Sequence, residues 1–119
     1  MKALRELARE TWSQYFDALS KELLHAPVSI EIEGPDEPMV AVSRMALLAL
    51  AYDRRGDVFE VSAARGGPHT PSVLRHLIDR PARVSVDSQT ILAPRMIAVD
   101  GSDNVRTIIR IAAEGAISG

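Results

Sequence analysis

The chain has 119 residues, 46% of them hydrophobic and 25% charged, with a formal net charge of −2. This length suits one domain with its own core and leaves no room for two, and the near-neutral charge speaks against bulk attraction to nucleic acid or to an anionic membrane. Cysteine is absent, which excludes disulfides, thiolate nucleophiles and thiolate metal sites.

The charge is unevenly spread. Residues 1–60 hold 11 acidic and 7 basic side chains, and residues 61–119 hold 5 and 7. Lysine occurs only at Lys2 and Lys21, and arginine supplies the other basic groups. The longest apolar run, Met45 to Tyr52, falls far short of the roughly 20 residues of a membrane helix. The N-terminus mixes Lys2, Arg5, Glu6, Arg9 and Glu10 with Leu4 and Leu7, so it lacks the apolar stretch of a signal peptide. These features lead us to expect a cytoplasmic protein with no membrane segment.

The first predicted element is a helix. Trp12, Tyr15, Phe16, Leu19 and Leu23 fall on one helical face, Thr11 with Gln14 has the form of a capping box, and Pro27 sets a stop near His25. Val28, Ile30 and Ile32 then alternate with Ser29, Glu31 and Glu33, as in a half-exposed strand. Gly34, Pro35, Asp36, Glu37 and Pro38 form a break. The run Met45-Ala46-Leu47-Leu48-Ala49-Leu50-Ala51 has helix-favouring composition, yet a doubly buried strand reads the same way. A strand is preferred, because residues 53–57 then make a hairpin turn into Val58 to Ser62.

A glycine-rich loop follows, and Thr70 with Pro71 looks like a helix start. Val73, Leu74, Leu77 and Ile78 would be the buried stripe of this second helix, and Pro81 its end. Three further strands are expected, at Arg83 to Asp87, Arg95 to Val99 and Val105 to Ile111, with a turn at residues 100–104. The predicted fold is α+β: a mainly antiparallel sheet of about six strands with two helices. It forms one domain over residues 1–112, followed by a flexible tail at 113–119.

The two halves also read alike. A helix end, a proline and an alternating strand occur at residues 23–33 and again at 77–87. A strand, an acidic turn and a strand occur around Tyr52-Asp53 and again around Val99-Asp100. Either the chain is a duplicated αβββ unit, or this is the ordinary likeness of any two helix-proline-strand segments.

Trp12, Tyr15, Phe16, Asp17 and Leu19, the Ala51-Tyr52-Asp53 turn into Val58 to Val61, and Leu77-Ile78 with Arg80-Pro81 and Val84 to Asp87 carry a family resemblance. With Ile97 to Asp100 and Ile108 to Ile111, they resemble a small bacterial family known only as a domain of unknown function. The resemblance runs from about Leu7 to Ile111. Its motifs are core aromatics, turns and strand ends, and it implies no activity, cofactor or catalytic residue. The glycine-rich loop and the Ala/Leu run at Met45 depart from the family's pattern.

That glycine-rich loop is the leading candidate for a ligand site. Gly66 and Gly67 let backbone approach a ligand, and Thr70 would open a helix whose free N–H groups attract anions. Arg65, His69 and Arg75 would add positive charge. The loop matches no phosphate-binding fingerprint, having neither Gly-Lys-Ser/Thr nor Gly-x-Gly-x-x-Gly. His76 and Asp79 would touch on a helix and orient an imidazole, but no nucleophile is marked beside them. His69 with His76 would lack the remaining ligands of a metal site. His25 reads as a cation at a helix C-terminus. The acidic turns at 53–57 and 100–104 are too short for calcium loops. Arg65, Arg75, Arg80, Arg83 and Arg95 fall in the second half, but with few aromatics they make a poor nucleic-acid surface.

No motif assigns an activity, so the function is unknown from sequence. The reading that fits best is a noncatalytic binding or assembly module without a cofactor, self-associating as a homodimer. The alternative is a small anionic-ligand binder or enzyme that uses residues 65–70.

Overall fold

Alternation of apolar and polar residues, the signature of strands, governs most of the structure. The computed structural model describes residues 4–35, 40–65, 72–87 and 94–112. In chain order they form β1 (Leu4–Glu6), a 3-10 turn (Arg9–Thr11), α1 (Trp12–Glu22), β2 (Pro27–Glu33), β3 (Val40–Asp53), β4 (Val58–Arg65), β5 (Ser72–Asp79), β6 (Pro81–Asp87), β7 (Met96–Gly101) and β8 (Arg106–Ile111). All eight strands join one sheet in the order β1-β6-β7-β8-β2-β3-β4-β5. Every pairing is antiparallel.

The expected fold of two helices and about six strands is therefore corrected to eight strands and a single α-helix among the described residues. The predicted second helix is strand β5. Its stripe of Val73, Leu74, Leu77 and Ile78 suits a helix, but the same segment also alternates. Leu74, His76 and Ile78 face inward, while Val73, Arg75, Leu77 and Asp79 are exposed. Pairing with β4 at every residue from Ser72 to Asp79 decides between the two patterns. Tertiary partners routinely override such local preference. The proposed αβββ duplication fails for the same reason, because its second unit would have to open on a helix and opens on a strand. Strand β1 escaped the sequence reading because three residues carry no periodic signal.

Helix α1 also differs in detail. Thr11 already has helical angles and makes no side-chain cap. Its hydroxyl instead donates to the Ala8 carbonyl at 2.7 Å. The helix stops at Glu22, and the chain turns out through His25, whose φ is 70°.

The Ala/Leu run at Met45 is strand, as expected. Met45, Leu47, Leu50 and Tyr52 enter the core, and Ala46, Ala49 and Ala51 take the other face. A bulge between Leu47 and Ala49 switches the register. Such a bulge bends a strand, and here the end of α1 docks beside it. His25 N–H donates to the Leu47 carbonyl at 2.7 Å, and Leu47 N–H to the Ala26 carbonyl at 2.9 Å. Leu50 N–H donates to Ser20 Oγ at 2.7 Å. The helix and the turn after it thus satisfy backbone groups of β3 beyond the reach of β2, whose pairing stops at Ala46.

Trp12, Phe16 and Leu19 of α1 are buried against the concave side of the sheet. Trp12 meets Tyr52, and Phe16 meets Phe59, each edge-on with centroids 5.0 Å apart. Val84, Val86, Ile97, Val99 and Ile109 complete the core from the other half. The sheet curls enough to bring β5 within side-chain reach of β8. His76 Nε2 lies 3.3 Å from Thr107 Oγ1. Arg80, with φ 49°, makes the corner between β5 at one end of the sheet and β6 near the other.

Candidate functional site

The residues predicted to bind an anion do not converge. Arg65 closes β4, exposed and opposite Ser72. Arg75 pairs across from Ser62, three positions along β4 from Arg65. Side chains alternate between faces along a strand, so Arg65 and Arg75 lie on opposite faces of the sheet. Arg75 is also engaged. Its Nε donates to Glu60 Oε2 at 2.8 Å, and Ser62 Oγ donates to the same carboxylate oxygen at 2.9 Å. The Arg75 hydrogen bond is the main reason that the Glu60 carboxyl sits below its ordinary pKa. Gly66, Gly67, His69 and Thr70 lie outside the described residues.

The His76–Asp79 pair predicted for a helix is undone by the strand. Three residues apart on a strand means opposite faces. His76 points inward to Thr107, and burial holds its imidazole below the usual pKa. Asp79 is exposed and has no ion pair among the described residues.

Sequence reasoning missed a polar cluster built on Arg9. Its guanidinium stacks 4.4 Å over the Trp12 ring and donates to Tyr52 Oη at 3.2 Å and to the Pro81 carbonyl at 2.9 Å. Tyr52 donates to Asp57 Oδ1 at 2.6 Å. Burial, followed by the Asp57 carboxylate, pushes the Tyr52 phenol up in pKa. The cluster ties the 3-10 turn to the β3–β4 hairpin and the start of β6. Nothing in sequence spacing brings residues 9, 52, 57 and 81 together. These groups hydrogen-bond one another, and the arrangement acts as a clasp between elements.

What remains available is the far side of β5. Among the described residues, the strand ends the sheet and pairs only with β4. Its other edge borders a cleft of about 280 Å³. One wall is the unbroken run His76, Leu77, Ile78, Asp79 and Arg80, and the other is Ser102, Asp103 and Val105 from the β7–β8 turn with Thr107 of β8. A strand face contributes alternate residues, so an unbroken run means that the cleft lies along the strand's edge. Beside it, Val73 and Leu77 project outward at 64% and 49% exposure, more than any other large apolar side chain in the described strands. Their neighbours on β4 and β3 are small: Ser62, Ala64, Ala46, Ala49 and Ala51. The outer face here is largely apolar, and the Glu60–Arg75 ion pair crosses it.

A family of unknown function, DUF5335, matches residues 3–117. The chain belongs to this family. An uncharacterised protein of Aquifex aeolicus (strain VF5) is 31% identical over 110 residues, which cover 92% of each chain. No solved structure matches the chain. The DUF5335 match spans all eight strands and α1, so the Arg9 clasp, the core aromatics and the β5 edge all fall inside it. Among the described residues, this DUF5335 chain has no helix long and apolar enough to cross a membrane.

Proposed function

We propose that the protein is a noncatalytic assembly module that self-associates through β5. The observation that carries this reading is an edge strand that pairs with β4 alone among the described residues and carries two exposed apolar residues, Val73 and Leu77. Unpaired N–H and C=O groups on such an edge are a template for another strand, and protein folds usually blunt them with lysine, proline or a cover. β5 carries neither lysine nor proline. Several of the charged groups are committed to ties between strands: Arg75 to Glu60, Arg106 to Asp100 and Arg110 to Glu31. That use is structural, which supports assembly over chemistry.

Sedimentation velocity across a concentration series tests the reading. The wild-type chain is expected to show a concentration-dependent dimer. Val73→Lys with Leu77→Lys is expected to remain monomeric with its fold intact, since both side chains are already exposed. A wild-type chain that stays monomeric throughout, and that is stabilised thermally by inorganic phosphate, would overturn this reading in favour of an anion-binding one at residues 65–70.

A further inference from the structure

We infer that the occupant of the β5 edge is the β5 of a second copy, paired antiparallel about a two-fold axis through Leu77. This rests on the self-association proposed above and specifies its geometry. Isologous contact requires a patch complementary to itself. The outward residues of β5 are Val73, Arg75, Leu77 and Asp79, in that order.

In an antiparallel pair, directly opposed residues have a constant sum of positions, and five centres, Leu74 to Ile78, oppose two or more outward residues. Centring on Leu74 sets Val73 against Arg75, and centring on Ile78 sets Leu77 against Asp79, so both pair charge with apolar surface. Centring on Arg75 sets two guanidinium groups against each other. Centring midway, on His76, places Arg75 against Leu77 and Val73 against Asp79, which pairs charge with apolar surface. Centring on Leu77 places Leu77 against its own copy and Arg75 against Asp79 twice over. Opposite charges directly across a ladder stabilise it and like charges do the reverse.

Two further features favour the Leu77 centre. Asp79 is exposed and has no ion pair among the described residues, so it can accept a partner. Arg75, at 64% side-chain exposure, can serve both Glu60 and a second carboxylate, because a guanidinium has five N–H donors.

A charge-swap series read by sedimentation equilibrium tests the register. Asp79→Arg alone and Arg75→Asp alone are each expected to weaken the dimer roughly tenfold, since each turns two attractive pairs repulsive. Mixing the two variants is expected to restore association as a one-to-one heterodimer, in which both pairs are again opposite in sign. The chain has no cysteine, so a single Leu77→Cys variant adds an independent reading. It should oxidise to a disulfide dimer, whereas Val73→Cys should not. A dimer that tolerates Asp79→Arg, or that cross-links through Val73→Cys in place of Leu77→Cys, would overturn the register and leave self-association standing. A wild-type chain that is monomeric throughout would overturn both.

Discussion

His76 shows how one half-buried imidazole ties stability to pH. Its pKa is lowered in the folded protein by burial, relative to the ordinary value near 6.5. Between the folded and unfolded values the unfolded chain binds more protons, so stability rises with pH in that window. The contribution is complete above about pH 6.5 and is lost as pH falls through the folded pKa. Thermal melts at about pH 7.5 and 5.5 should therefore separate for the wild type more than for His76→Gln, which has no proton to gain. Equal separation in both would place the pH sensitivity elsewhere. Glu60 works in a different range. Its lowered pKa gives stability that is present above the ordinary carboxylate value and fades only as pH falls below it.

Among the elements, α1 and β3 depend on each other through one hydroxyl. Ser20 Oγ accepts from Leu50 N–H where β3 has outrun β2. Ser20→Ala leaves that partly buried donor unpaired and should cost about 1–2 kcal/mol. The expected sign is a lower urea midpoint with an unchanged slope, and Ser20→Thr should recover most of it. Several elements were legible in the sequence because one pattern dominated. Trp12, Phe16 and Leu19 gave α1, and Val28 to Glu33 gave β2. The Met45 run was legible only because the hairpin after it demanded a strand. β5 was not legible, since residues 72–79 satisfy both periods and a Thr-Pro pair precedes them. The choice lay with β4, sitting in register beside it. Misreading β5 carried the site with it: as a helix, the segment brought Arg65 and Arg75 toward one loop, and as a strand it parts them. The Arg9 clasp was beyond sequence reasoning altogether, since its members are joined only by the curl of the sheet.

At the scale of the molecule, the strand order sets what can stand alone. The meander β2-β3-β4-β5 and the group β1-β6-β7-β8 meet only through the β2–β8 ladder within the sheet. Six residue pairs, from Val28–Ile111 to Glu33–Arg106, hold that seam, with the Glu31–Arg110 ion pair at 2.8 Å beside it. A chain ending at Val105 would lose the seam and leave β2 and β7 with unpaired edges. It is expected to lose its cooperative unfolding transition by circular dichroism, while a chain ending at Ala112 keeps it. The same strand order matters during synthesis. β8 leaves the ribosome after every other described strand, yet it is laid down in the middle of the sheet. Until it arrives, β2 and β7 each lack the ladder partner that β8 supplies on one edge. Those edges make this interval the one in which a chaperone, or another nascent copy, has the most to grip.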